Sequence, residues 1–237
     1  MKLNVPIIIV VIMAIIVIVY NFKSPANTIV DVFRDITDIH ISQPKFKDIT
    51  SFYNLDNNQW EGATFRFVDI TEVSFNRIYK ANLESDLRWF SNEFERKSKV
   101  KKFYAEISRI LNTSTKATIG KDNSSIYIPI ANQLNFLHKN LYNNKIMLIY
   151  SDLMENNSTG MSFYDSQKLN LIKSNPESVI KYFESLVPLY DLKGIKIYII
   201  FQPNNIEQDE QFKIMSGFYK KLFEDKGAEV KVVANLS

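Results

Sequence analysis

Two stretches carry the residue types that hold a hard cation or meet a polar partner. In Phe65-Arg66-Phe67-Val68-Asp69-Ile70-Thr71-Glu72-Val73-Ser74 an apolar run breaks at once into an acid and hydroxyls. The same event recurs at Lys145-Ile146-Met147-Leu148-Ile149-Tyr150-Ser151-Asp152. A short apolar run of this kind reads as a buried strand, and its last residues are delivered to the strand's carboxyl-terminal end. In an open parallel sheet that end is where ligands bind, because loops from neighbouring strands converge there. Carboxylates and hydroxyls, with water completing the shell, suit Mg²⁺ or a similar divalent cation. One aspartate at a strand end commonly does no more than cap the following loop. The pair Asp69 and Asp152, with Thr71 and Ser74 beside the first, turns a capping pattern into a metal-site expectation.

Composition removes several other chemistries. The chain has no cysteine, so thiol nucleophiles, thiolate zinc sites and disulfides are excluded. Its two histidines, His40 and His138, stand without paired-ligand spacing and read as structural or surface residues. Six glycines form neither G-x-x-x-x-G-K nor G-x-G-x-x-G, which leaves no phosphate-cradling loop. A net charge of +3 is too small an excess to argue for nucleic acid, and none is expected as a partner. The basic run Glu95 to Lys102 reads as a solvated helix face rather than a patch for anionic polymer or lipid.

The elements that must position the acids follow from periodicity. Residues 1–23 hold an unbroken apolar stretch, Val5 to Tyr20, extended by Leu3 and Phe22 and flanked by Lys2 and Lys23. At about 1.5 Å per residue its core reaches about 24 Å, adequate for a transmembrane segment once the flanks are counted. Ser24-Pro25-Ala26 is a poor cleavage site, so the stretch is expected to remain as a membrane anchor through residues 3–22. Lys2 and the α-amino group favour an inside amino terminus, which puts the domain outside the cytoplasm, on the periplasmic side if the cell is bacterial.

Residues 24–61 are polar, contain Pro25 and Pro44, and read as a linker with one edge strand over Asp38 to Ser42. Asp35-Ile36-Thr37 and Asp48-Ile49-Thr50 repeat the acid-x-hydroxyl spacing, but neither follows an apolar run, and both read as chance matches. The domain then occupies 62–237. A strand is expected at Asn76 to Ala81, and helical spacing at Leu83, Leu87, Phe90 and Phe94, continuing through Val100, Phe103, Tyr104, Ile107 and Leu111. Ser124 or Ser125 is placed to cap a helix carrying Ile126, Ile130, Leu134, Leu137 and Leu141. Beyond Asp152, helices are expected from Asn175-Pro176 and over Ile206 to Asp225, and strands at Gly194 to Phe201 and Ala228 to Ala234. Strands alternating with helices call for an α/β fold, a mostly parallel, doubly wound Rossmann-like sheet with helices on both faces.

From about Thr64 to Ala234 the chain resembles a von Willebrand factor A domain. That family's metal-ion-dependent adhesion site uses Asp-x-Ser-x-Ser after the first strand, a Thr in a second loop and an Asp in a third. Asp69 matches the first position and Thr71 the second; Val73 stands where the second serine belongs, and Ser74 follows one residue late. Ser124 is the best match to the second-loop Thr, with Ser125 the fallback, and Asp152 matches the third-loop acid. The resemblance implies a metal set of Asp69, Thr71, Ser74, Ser124 and Asp152, degenerate at Val73, and a non-catalytic role in adhesion or assembly, where the metal awaits an acidic group from a partner protein. The expected function is a membrane-anchored module that binds a protein partner at the strand-end site. The alternatives are a metal-dependent hydrolase of PIN-like nuclease type, which would need more strand-end carboxylates, and a structural domain with a vestigial site.

Overall fold

Asn27–Asp35 forms the central strand of the sheet, β1, and eight of its nine residues are buried, three of them charged. The computed structural model describes residues 25–36, 41–70, 77–88, 91–114, 125–156 and 162–236. After β1 come a short helix α1 (Phe46–Thr50), strands β2 (Gly62–Ile70) and β3 (Ile78–Leu83), and the long helix α2 (Glu93–Ser114). Helix α3 (Tyr127–Lys139) leads into β4 (Asn144–Tyr150), then α4 (Ser166–Ser174), α5 (Pro176–Leu186), β5 (Ile195–Ile200), α6 (Ile206–Asp225) and β6 (Glu229–Val233). The six strands lie in the order β3-β2-β1-β4-β5-β6, all parallel except β3, which runs antiparallel to β2 at one edge. The expected α/β class and mostly parallel sheet are therefore present.

The linker expected over 24–61 is corrected: it supplies the innermost strand. Its hydrophobes Ile29, Val30, Val32 and Phe33 are fully buried, but Asp31, Arg34 and Asp35 interrupt them and give the stretch a polar reading. Each of the first two charges is answered at the directly facing position of β2. Asp31 faces Arg66, and Arg34 faces Asp69. Because side chains alternate across a strand, these two pairs lie on opposite faces of the sheet. The edge strand expected over Asp38 to Ser42 falls partly outside the described residues, and Ile41 and Ser42 lie in no strand.

Helices cover both faces. On one, Gln133 and Phe136 of α3 reach Asp31 and the Arg66 guanidinium, the latter 4.1 Å from the ring centre. Tyr127 of α3 stacks on Phe183 of α5 at 4.3 Å, and Phe183 in turn meets Phe218 and Tyr219 of α6. On the other face, α2 packs over β3 and against α1 through Phe46 and Tyr104, while Phe52, just beyond α1, meets Tyr198 of β5.

Local signals place most helix ends. Asn175 and Asn205 accept from the backbone N–H of Ser178 and Gln208 to cap α5 and α6, and Gly227 follows α6 at a φ of 95° that a side chain would resist. The helical spacing expected from Leu83 to Phe94 does not form one helix. Leu83 closes β3, and α2 begins only at Glu93. Helix α4 answers to no apolar period in the sequence: its one buried residue is Ile172, and Asp165 starts it by accepting from Gln167 N at 2.9 Å. Among the described residues no helix is long and apolar enough to cross a membrane, and the stretch 3–22 lies outside them.

Candidate functional site

The strand order reverses direction at β1. From it the chain proceeds outward to β2 and β3 on one side, then returns to lay β4, β5 and β6 on the other. The helices leaving adjacent strands at such a reversal diverge to opposite faces and open a crevice at the carboxyl ends, where ligands of doubly wound sheets bind. Here the crevice lies between the ends of β1 and β4.

Two side chains meet at that point, and a third, Asp152, follows directly in the chain. Asp35, the last residue of β1, is buried and its Oδ2 accepts from Ser151 Oγ at 3.2 Å. Ser151 directly follows β4, and its Oγ also accepts from Leu153 N at 2.8 Å. Between them Asp152 leaves the sheet half-buried, its Oδ1 accepting from Met154 N at 2.9 Å and its Oδ2 from Tyr164 Oη at 3.4 Å. The turn that presents Asp152 passes through Leu153, the one non-glycine residue of positive φ among the described residues, at 66°. Leu153 is fully buried, so packing holds a conformation that a γ-branched side chain disfavours.

A third acid, Glu155, turns the other way. Its carboxylate accepts from Ile126 N and Tyr127 N at 2.9 Å each and from Ser125 Oγ at 3.2 Å, which places a buried negative charge at the amino terminus of α3. Glu155, in the loop after β4, thus caps the start of α3, and of the two expected caps Ser125 donates to it while Ser124 lies outside the described residues. No side chain at the cap position, Ile126, can supply that cap.

Of the residues expected from sequence, Asp152 sits at the crevice. Asp69 sits one residue short of the end of β2, on the face opposite Asp35, with its Oδ1 2.8 Å from Arg34 Nε and 2.6 Å from Nη2. Burial raises the Asp69 carboxyl above its ordinary value, against the pull of Arg34, whose guanidinium also donates to Gln43. Asp69 is therefore engaged in an internal ion pair on the other side of the sheet. β1 runs between β2 and β4 and separates the two acids. Thr71, Ser74 and Ser124 lie outside the described residues.

Neither a scan of protein-family models nor a search of curated proteins finds a match. The site is therefore judged on its own chemistry. Asp35, Ser151 and Asp152 offer hard oxygen donors, the type that Mg²⁺ accepts together with several waters. Among the described residues no three acidic or imidazole groups converge. Two carboxylates and one hydroxyl would leave most positions of a Mg²⁺ shell to water.

Asp35 is the residue that periodicity missed. Its signal was present as Asp35-Ile36-Thr37, an acid and a hydroxyl spaced like those of the first motif, but the strand before it was hidden by its charges.

Exposed apolar side chains also stand near this edge. Tyr164 is more than half exposed, and so is Ile78, which faces Val68 near the carboxyl end of β2. Ile206 begins α6 a few residues after β5. A cavity of about 370 Å³ lined by Leu83, Glu84, Asp86, Lys99 and Phe103 lies at the opposite end of the molecule, away from the acids.

Proposed function

We propose that the chain is a membrane-anchored, extracytoplasmic interaction module that recognises a protein partner at the carboxyl ends of β1 and β4, through Asp35, Ser151 and Asp152 and with Mg²⁺ or a similar divalent cation as cofactor. The observation that carries this reading is the meeting of Asp35 and Ser151 at the strand-order reversal, with Asp152 presented beside them. It also bears on the resemblance to von Willebrand factor A domains. The first motif of that family follows the first strand, and the first strand of this sheet ends at Asp35, so Asp35-Ile36-Thr37 takes the place first given to Asp69-Ile70-Thr71. Thr37 lies outside the described residues. Asp152 keeps its role as the third-loop acid.

A bound cation at this position would offer an open site to an acidic group of the partner. The side chains of this chain would hold it, with the buried Asp35 and Ser151 shielding one side from bulk water and the exposed Tyr164, bonded to Asp152, as a contact point. A non-catalytic role agrees with a composition that supplies two histidines and no cysteine.

Thermal unfolding of the full-length protein in detergent, with and without Mg²⁺ or Mn²⁺, tests the reading. A cation that binds only the folded state raises the melting temperature by mass action. The rise is expected in the wild-type chain and lost in Asp152→Asn. Cation-dependent cleavage of nucleic acid, abolished by the same substitution, would replace this function with the hydrolase. Absence of any shift would leave a structural domain.

A further inference from the structure

Phe94 and Leu141 are the two most exposed large apolar side chains among the described residues, at 87 % and 98 %. Both stand at the amino-terminal edge of the sheet, and both are tied closely to the start of β1. Leu141 is two residues before Asn143, whose N–H donates to Asn27 O at 2.9 Å and whose Oδ1 accepts from Asn27 N at 2.8 Å.

Phe94 opens α2, its N–H donating to Asn92 Oδ1 at 2.9 Å. The same turn holds Arg96, whose buried guanidinium donates to Gln59 O, Glu84 O and Glu61 O at 2.5, 2.7 and 2.6 Å. Beside Glu61, Gly62 N donates to Ala26 O at 2.9 Å. Hydrogen bonds therefore connect each exposed side chain, through a few residues, to the point where the chain enters the domain. One lies on the β4 side of that point and the other on the β2 side.

We propose that Phe94 and Leu141 seat this edge in the interfacial layer of the bilayer that holds the amino-terminal segment. The proposal rests on reading residues 3–22 as a membrane segment. Two peptide units separate Lys23 from Pro25, a reach of about 7 Å at full extension, so the edge that carries Pro25 and Ala26 stays beside the membrane surface. Large apolar side chains held out on hydrogen-bonded turns gain free energy only by leaving water, and the nearest apolar phase is the bilayer.

The surrounding residues are of the kinds that settle at that boundary. Trp60 is partly exposed at the same edge, and Tyr190 lies under the Lys139 ammonium at 5.1 Å. With the amino-terminal edge seated, β1 runs away from the bilayer. At about 3.3 Å per residue it holds Asp35 about 26 Å beyond Asn27, facing the space where a partner approaches.

The natural absence of cysteine makes the test direct. Phe94→Cys, Leu141→Cys and Ile206→Cys each carry a fluorophore in the full-length protein, reconstituted in lipid nanodiscs containing nitroxide-headgroup lipid. Ile206 is 80 % exposed at the opposite edge and serves as the matched control. Quenching is expected to be several-fold stronger at positions 94 and 141 than at 206. Equal, weak quenching at all three positions in a protein that resists carbonate extraction overturns the seating and keeps the anchor. Release by carbonate overturns both.

Discussion

Asp31 shows how this chain places charge where water does not reach. It is fully buried in β1, and its carboxyl is pushed up to about 7 by burial, against the opposing pull of Arg66 and the hydrogen bond from Gln133. Its Oδ1 has no hydrogen-bond partner. A carboxyl whose folded pKa is raised holds its proton in the folded state after the unfolded chain has released it. Its stabilising contribution is complete below the ordinary carboxylate value near 4 and is lost as pH rises towards about 7. Asp69, also raised, acts in the same direction. Wild-type stability is therefore expected to fall across this interval, and Asp31→Asn to flatten the slope, as read by denaturant unfolding at pH 5 and pH 8. An unchanged slope would show that Asp31 does not titrate there. At this scale the sequence was least legible. Asp31, Arg34 and Asp35 look like tether residues until their partners, 35 positions away for the first two, are brought alongside.

The elements divide into those held by local signals and those held from a distance. The ends of α5 and α6 were legible because the Asn175 and Asn205 caps lie beside the turns they satisfy. The start of α3 was legible in position but not in its capping group, because the carboxylate that satisfies Ile126 N lies 29 residues downstream in Glu155. Glu155→Ala leaves those buried N–H groups without an acceptor and is expected to cost about 1–3 kcal/mol, with Glu155→Gln milder because one acceptor oxygen remains. Equal stability of Glu155→Ala and wild type in urea unfolding would contradict this role.

Strand register has a comparable device in the facing pairs Asp31–Arg66 and Arg34–Asp69. A slip of one residue would turn each charge to the wrong face. Removing one partner alone, as in Arg66→Leu, is expected to cost about 3–5 kcal/mol, and Asp31→Leu with Arg66→Leu to cost less than the sum of the two single changes. Additive losses would show that the pair does not act as a unit.

Across the whole molecule, the alternation β4, α5, β5, α6, β6 was enough to give the fold class, because each of those segments carries a readable apolar pattern, even though α4 does not. The site was legible only by half. Asp152 follows an uninterrupted apolar strand and was visible. Asp69 was visible because an apolar run ends there in an acid and hydroxyls, whereas Asp35, at the reversal of strand order, follows a strand interrupted by charges.

The central claim is that Asp35, and not Asp69, shares a cation with Asp152, and Mn²⁺ binding to the full-length protein in detergent, followed by calorimetric titration, tests it most directly. Asp35→Asn and Asp152→Asn are expected to abolish binding. Asp69→Asn, which breaks the ion pair with Arg34 and lowers stability, is expected to retain it. Binding that survives Asp35→Asn and disappears in Asp69→Asn would contradict the account and return the site to the end of β2.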